Sequence, residues 1–345
     1  MTLKRLHIAL LTLGMVCLMW MLRAVGAAKV WQGLASLGWG LIPLLMTEGV
    51  EEAFRTRAWW RCLSSPGRSR PFVQLYWMRL AGYAINYFTP TAMLGGDVAR
   101  MALIASPDHA EEAVSSVLVD KACVAVAHLA LVMVGACFLL WRVELPAALE
   151  AAMLLSGCLM AAGILAFLLL QKYGRLGAVF RWLAARRLGG SRWRKLAENA
   201  SAVDEAFRIF YRDRRRDFVL AVLWHMAGFA TALLQTWLFF VLVHQHPSPA
   251  VVVGVWALGL WFDLLVFAVP MNIGTLEASR IVTFAAVGYK AVEGMTYGMM
   301  LRLGQLLWAV AGLMGYAVLA FRPPAGSQPA SRTSRPPLLR LPRRK

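Results

Sequence analysis

Two short stretches of this chain carry proline, glycine, an acid and an arginine in matching order. The first reads N-Y-F-T-P-T-A-M-L-G-G-D-V-A-R and the second V-F-A-V-P-M-N-I-G-T-L-E-A-S-R. Pro90, Asp97 and Arg100 of the first stand 180 residues before Pro270, Glu277 and Arg280 of the second. Gly95 and Gly96 follow one proline, Gly274 the other. An acid and an arginine three residues apart share a helical face, and an acid near a helix start is favoured by the dipole. Proline stops the helix before it, and glycine permits a tight passage into the next. Each stretch therefore predicts a helix, a broken turn and a polar-faced helix. Arginine offers phosphate a planar fork of paired, charge-assisted bonds, so Arg100 and Arg280 are candidates for gripping a phosphate-bearing headgroup. The competing reading makes each arginine a salt bridge that fixes packing, or a side chain reaching for an interface.

Further charges fall inside or beside apolar segments: Arg79, Asp120, Lys121, His128, His225, Asp263, Lys290, Glu293 and Arg302. Charge in a bilayer is costly enough that it normally meets a partner or a wet path. Asp120 and Lys121 are adjacent and cannot share one helical face, so each is expected to meet a different partner. Asp120 pairs with Arg79 or Arg100 in this reading, and Arg302 with Glu277 or Asp263. Arg79, Arg100, Lys121, Arg280 and Arg302 would then line a headgroup path, while Lys290 and Glu293, near an external membrane boundary, read as packing or interfacial charges. His128 and His225 read as buried hydrogen-bonding residues, and His109 lacks the HExxH spacing of a metalloprotease. The five cysteines are isolated, with no CxxC or Cys/His ligand spacing. No GxxxxGK[ST], paired DxD or GxSxG element is present. No catalytic residue, cofactor or metal ligand is expected.

The elements that must hold these residues belong to a membrane. Of 345 residues, 59% are hydrophobic and only 16% charged, with a mean hydropathy of +0.59, too apolar for an ordinary water-facing surface. The chain predicts an all-α polytopic membrane protein, its transmembrane domain covering residues 1–320. Six full spans are expected near residues 6–22, 34–53, 114–140, 149–171, 217–243 and 293–320. Two proline-broken re-entrant hairpins, 71–105 and 250–289, form an inverted repeat. The formal charge of +18 lies in connections: a basic loop from Arg55 to Arg70, a loop over 172–216 and a tail over 321–345 expected to be disordered. That distribution fits the positive-inside rule and attraction to anionic lipid, and argues against nucleic acid. Both termini are then cytoplasmic, His244 to Pro249 is external, and the membrane is a bacterial inner membrane. The hairpins would dip in from opposite sides, as in transporters that expose one site alternately.

The run R-L-A-G-Y-A-I-N-Y-F-T-P-T-A-M-L-G-G-D-V-A-R, then S-S-V-L-V-D-K, P-M-N-I-G-T-L-E-A-S-R and L-R-L-G-Q-L-L-W, resembles the lysylphosphatidylglycerol synthase transmembrane-region family over about residues 5–320. The likeness is to its stand-alone, flippase-like members, including hopanoid-biosynthesis-associated membrane proteins. By that resemblance Asn86 to Arg100 matches an N-x-x-x-P…G-G-D-x-x-R region, Asp120 and Lys121 an acidic-basic position, and Gly274 to Glu277 a G-x-x-E region. The chain lacks the soluble aminoacyl-transferase domain of the bifunctional synthases, so lysyl transfer from tRNA is not expected. The family implies translocation of an anionic or isoprenoid-derived lipid: a phospholipid, aminoacyl-lipid, polyprenyl phosphate or hopanoid. The alternative is an integral-membrane transferase or accessory subunit in polyprenyl-linked glycan or hopanoid synthesis. The candidate headgroup site is Arg79, Asn86, Pro90, Gly95, Gly96, Asp97, Arg100, Asp120, Lys121, Asp263, Pro270, Asn272, Gly274, Glu277, Arg280 and Arg302. Its expected partners are a membrane lipid with a polar or phosphate headgroup, anionic lipids at the basic loops, and envelope-lipid biosynthesis enzymes.

Overall fold

A computed structural model of the chain describes residues 16, 18–89, 94–105, 110–142, 147–173, 208, 210, 212–243, 246–266 and 272–320. Pro90, Pro270, His109, most of the 172–216 loop, the 321–345 tail and most of the first expected span lie outside the described residues. Every regular element among those described is helical. After a helical stretch at 18–25, α1 (Ala27–Ser36) leads through a 3-10 turn at Gly38–Gly40 into α2 (Leu41–Cys62), with an 87° bend between them. The short α3 (Ser65–Arg68) precedes α4 (Phe72–Phe88), α5 (Leu94–Ile104), α6 (Ala110–Arg142) and α7 (Ala147–Lys172). Then follow α8 (Arg215–Leu242), α9 (Pro249–Val266), α10 (Thr275–Ala286) and α11 (Ala291–Ala320).

Three described helices are long and apolar enough to cross a membrane: Ala113–Arg142, Arg215–Leu242 and Ala291–Leu319. The bent α1–α2 pair is apolar enough to make a fourth if its two limbs are taken as one span, while Glu150–Ala166 and Pro249–Leu265 are shorter apolar helices. The span expected at 34–53 is redrawn. It breaks at residues 37–40, and its second limb runs on to Cys62, so Arg55, Arg57 and Arg61 are helical rather than part of a loop. Nothing between Ala53 and Cys62 is a helix breaker, and Glu51 pairs with Arg55 one turn on, which supports continuation. Leu155, Leu159, Val134 and Val318 are all 60% exposed or more, an outer surface suited to lipid.

Each motif stretch folds as a pair of contacting helices, α4 with α5 and α9 with α10. Their lengths match closely, 17 and 11 residues against 18 and 12. The two hairpins interlock through the long helices. α5 and α10 lie on α6 and α11, the helices that directly follow them. α4 packs on α11 and α9 on α6, so each hairpin's first helix rests on the long helix that follows the other hairpin. α2 and α8, which precede the two hairpins, pack along each other. One apolar cluster, with Trp59, Leu63, Leu75, Met78 and Val117, surrounds the first hairpin; a second, with Leu44, Phe239, Phe240, Leu276, Phe284 and Met300, surrounds the second. The charged face of each hairpin is thereby pressed into helix contacts instead of lipid.

Candidate functional site

In the first hairpin, helix contact comes from a small-residue crossing. Gly82 of α4 and Gly96 of α5 approach so closely that a side chain on Gly96 would strike the Gly82 carbonyl and the Asn86 amide. Asn86 Oδ1 accepts a hydrogen bond from the Gly96 N–H at 2.7 Å, tying one helix end to the next helix start. This crossing aims Asp97 and Arg100 at α6. Arg100 donates to Asp97 at 2.9 Å, and through its other terminal nitrogen to Asp120 of α6 at 2.9 Å. Asp120 also receives Arg79 of α4 at 3.0 Å and bonds His225 Nε2 of α8 at 2.9 Å. Arg79 reaches on to Glu52 of α2 at 3.0 Å, and Lys121 pairs with Asp97 at 3.0 Å. The Arg100 guanidinium stands 5.1 Å from the Trp59 ring centre. Three cations thus face three carboxylates, and Asp120, 1% exposed, is the hub. Asp120 and Lys121 meet different partners, as their adjacency requires, and both expected pairings of Asp120 form.

The second hairpin is wired differently. Gly274, at φ 78°, opens α10 in a backbone region that side chains avoid, and Glu277 turns back to accept its N–H at 3.0 Å. Glu277 also pairs with Arg302 of α11, whose Nη2 reaches it at 2.9 Å and donates to the Asn272 carbonyl at 3.0 Å. The expected i, i+3 pair of Glu277 with Arg280 does not form, because the buried helix-start N–H of Gly274 and Arg302 claim the carboxylate. Arg280 instead reaches across to α9, where both oxygens of Asp263 accept from its Nη2 at 2.8 and 2.9 Å. Its Nε and Nη1 are buried and without a hydrogen-bond partner among the described residues, although the side chain is only 6% exposed. Nη1 lies against Gly259 of α9, where a side-chain carbon would sit 3.0 Å away. Asp263 is 39% exposed, so this pair, unlike Asp120 with its arginines, borders an accessible space.

Four charged residues that sequence reasoning left out lie between the hairpins, all on α2. Glu48, Glu51, Glu52 and Arg55 recur at helical spacing on one face; Arg55 pairs with Glu51 and stands 3.6 Å from Glu52. Glu52 ties this face to the first network, and Glu48 and Glu51 lie within electrostatic reach of Asp263 in the second. The signal was present as acids and an arginine three to four apart inside an apolar segment. The Tyr87 side chain, at the end of α4, neighbours Arg302 and brings the first hairpin against the second network. His128 bonds the Leu260 carbonyl at 3.0 Å, and Glu293 caps α11 by accepting the Lys290 N–H at 2.8 Å, so both stay outside the networks. No group of three or more His, Cys, Asp or Glu side chains suited to a metal occurs among the described residues.

Helices of spanning length, with an apolar outer surface and paired ions drawn inward, define an α-helical multi-pass membrane protein. The chain belongs to the lysylphosphatidylglycerol synthase TM region family, whose model matches residues 6–313, and this links it to membrane-lipid biosynthesis or transport. No curated protein and no solved structure matches it.

Proposed function

We propose that this protein moves a lipid with an anionic headgroup between leaflets, and that the second hairpin receives the headgroup. The observation that carries this reading is Arg280: a guanidinium shielded from water with two of its three nitrogens unspent among the described residues. An unmade buried hydrogen bond costs about 1–3 kcal/mol, and more for a charged donor. A phosphate oxygen meets that demand with charge-assisted bonds. Asp263, holding the third nitrogen at an accessible edge, orients the fork and yields to a competing anion when the hairpin opens. The interlocked hairpins supply the motion. Each leans on the long helix that follows the other, so a rocking of α4–α6 against α9–α11 closes one side as it opens the other. In this reading the hairpins are re-entrant from opposite sides of an inner membrane, the termini are cytoplasmic, and the tails of the lipid stay in the bilayer.

The experiment is leaflet exchange in vesicles. Purified protein should accelerate exchange of a phosphate-bearing lipid without ATP, tested on anionic phospholipids, aminoacyl-lipids, polyprenyl phosphates and hopanoids. Folded protein that accelerates none of them overturns the transport reading.

A further inference from the structure

A groove between α2, α4 and α8 lies apart from both ion networks. Val50, Ala53, Phe54 and Arg57 of α2, Phe72 of α4 and Trp224 of α8 line a space of about 250 Å³. The four α2 positions recur at helical spacing and so form one face, opposite the Glu48, Glu51, Glu52 and Arg55 face. The groove walls are apolar: Phe54 stacks on Trp224 with ring centres 5.7 Å apart, while Val50 and Phe72 are 49% and 41% exposed. One end is basic. Arg57 stands over the Trp60 ring, its guanidinium carbon 4.1 Å from the centre, and has no carboxylate or hydrogen-bond partner among the described residues. Stacking occupies the flat face of a guanidinium and leaves its in-plane N–H fork unspent. Next to it Arg61, Arg68 and Arg214 share a single carboxylate, Asp217, at 3.4, 2.5 and 3.0 Å. Four cations against one acid give this corner a surplus of positive charge directly beside an apolar trough.

We infer that the groove binds one chain of an anionic phospholipid, with the phosphate seated on the open fork of Arg57. As a loading site it rests on the transport reading above, but the binding itself stands on the charge and shape of this corner. Such a lipid satisfies both ends of the groove at once: a chain for Val50, Phe54, Phe72 and Trp224, and an anion for the one arginine there that no acid neutralises.

The test places the photoreactive residue p-benzoylphenylalanine at Val50 in the full-length protein. The protein is held in nanodiscs of phosphatidylcholine with an equal share of phosphatidylglycerol. Irradiation should label phosphatidylglycerol in preference to phosphatidylcholine, and Arg57→Gln should lower that preference about fivefold, as expected for one basic group near an anionic headgroup. Arg57→Lys keeps the charge without the fork and should retain part of it. Arg57 closes no ion pair among the described residues, and its stacking on Trp60 is worth about 0.5–1 kcal/mol, so these variants should unfold within a few degrees of the parent, which is checked in the same samples. Equal labelling of both lipids, a preference unchanged by Arg57→Gln, or a cross-link to another protein overturns the site. Arg100→Gln and Arg280→Gln should leave the labelling intact. Arg57-dependent labelling without leaflet exchange would sink the transport reading and leave this site standing, while exchange without such labelling would do the reverse.

Discussion

The two hairpins share a motif and differ in what their arginines are left to do. Arg100 is closed into a network in which Asp97, Asp120, Arg79, Lys121, Glu52 and His225 all find partners. Arg280 holds one acid with one nitrogen and leaves two nitrogens without a partner among the described residues. The wiring is reversed as well. On the long helix after the first hairpin stands an acid, Asp120, which takes the motif's arginine. On the long helix after the second stands an arginine, Arg302, which takes the motif's acid. Equivalent residue types at equivalent positions therefore do not imply equivalent roles. The first hairpin reads as a lock that holds α4, α5, α6 and α8 together, the second as the half with binding capacity to spare.

The largest expected effect breaks the lock. Asp120→Asn leaves Arg79 and Arg100 buried against a neutral group, and loss of one partner in a buried ion set costs about 3–5 kcal/mol. Asp263→Asn at the other hairpin takes the acid from one buried arginine, but an amide oxygen at that 39% exposed edge still accepts from it, and the change should cost less, about 1–3 kcal/mol. Unfolding of both variants in the same detergent compares them; equal destabilisation would erase the distinction between lock and open site.

The glycines sharpen the same contrast. Gly96→Ala drives a methyl group into the Gly82 carbonyl and should cost about 1–3 kcal/mol by overpacking, parting α4 from α5. Gly274→Ala forces a side chain into a backbone of φ 78° and should cost about 1–3 kcal/mol through strain. A Gly96→Ala protein as stable as the parent would mean that the hairpin is not held by this crossing. Lys121→Gln should do least, under about 1 kcal/mol, since its side chain is 37% exposed and makes a single pair with Asp97.

The helical class, the membrane setting and most of the charged residues could be read from the chain, because ions stand out in apolar segments and the proline-glycine-acid-arginine order repeats. Asp120 and Lys121 needing separate partners followed from their adjacency alone. Partner choice did not. Glu277 lies one turn from Arg280 yet pairs with Arg302, because the rotation of α10 against α11 and the helix-start N–H of Gly274 decide where the carboxylate points. Glu48, Glu51, Glu52 and Arg55 were passed over because α2 grades from apolar to basic, and a helix carrying charge there resembles the start of a loop. The repeated motif also carries no sign that Arg100 and Arg280 differ in hydrogen-bond saturation, because that is a tertiary property.

The most direct test of the proposed transport is leaflet exchange across the same lipid panel, measured for wild-type, Arg280→Gln and Arg280→Lys proteins with unfolding recorded alongside. Asp263 keeps contact with water when Arg280 is removed, so both variants should fold. Two charge-assisted bonds to phosphate are worth about 1.5–3 kcal/mol each, so Arg280→Gln should slow exchange at least about tenfold, with Arg280→Lys recovering only part because an ammonium lacks the fork. Wild-type exchange rates in an Arg280→Gln protein of unchanged stability would contradict the account and leave Arg280 with Asp263 as a packing contact.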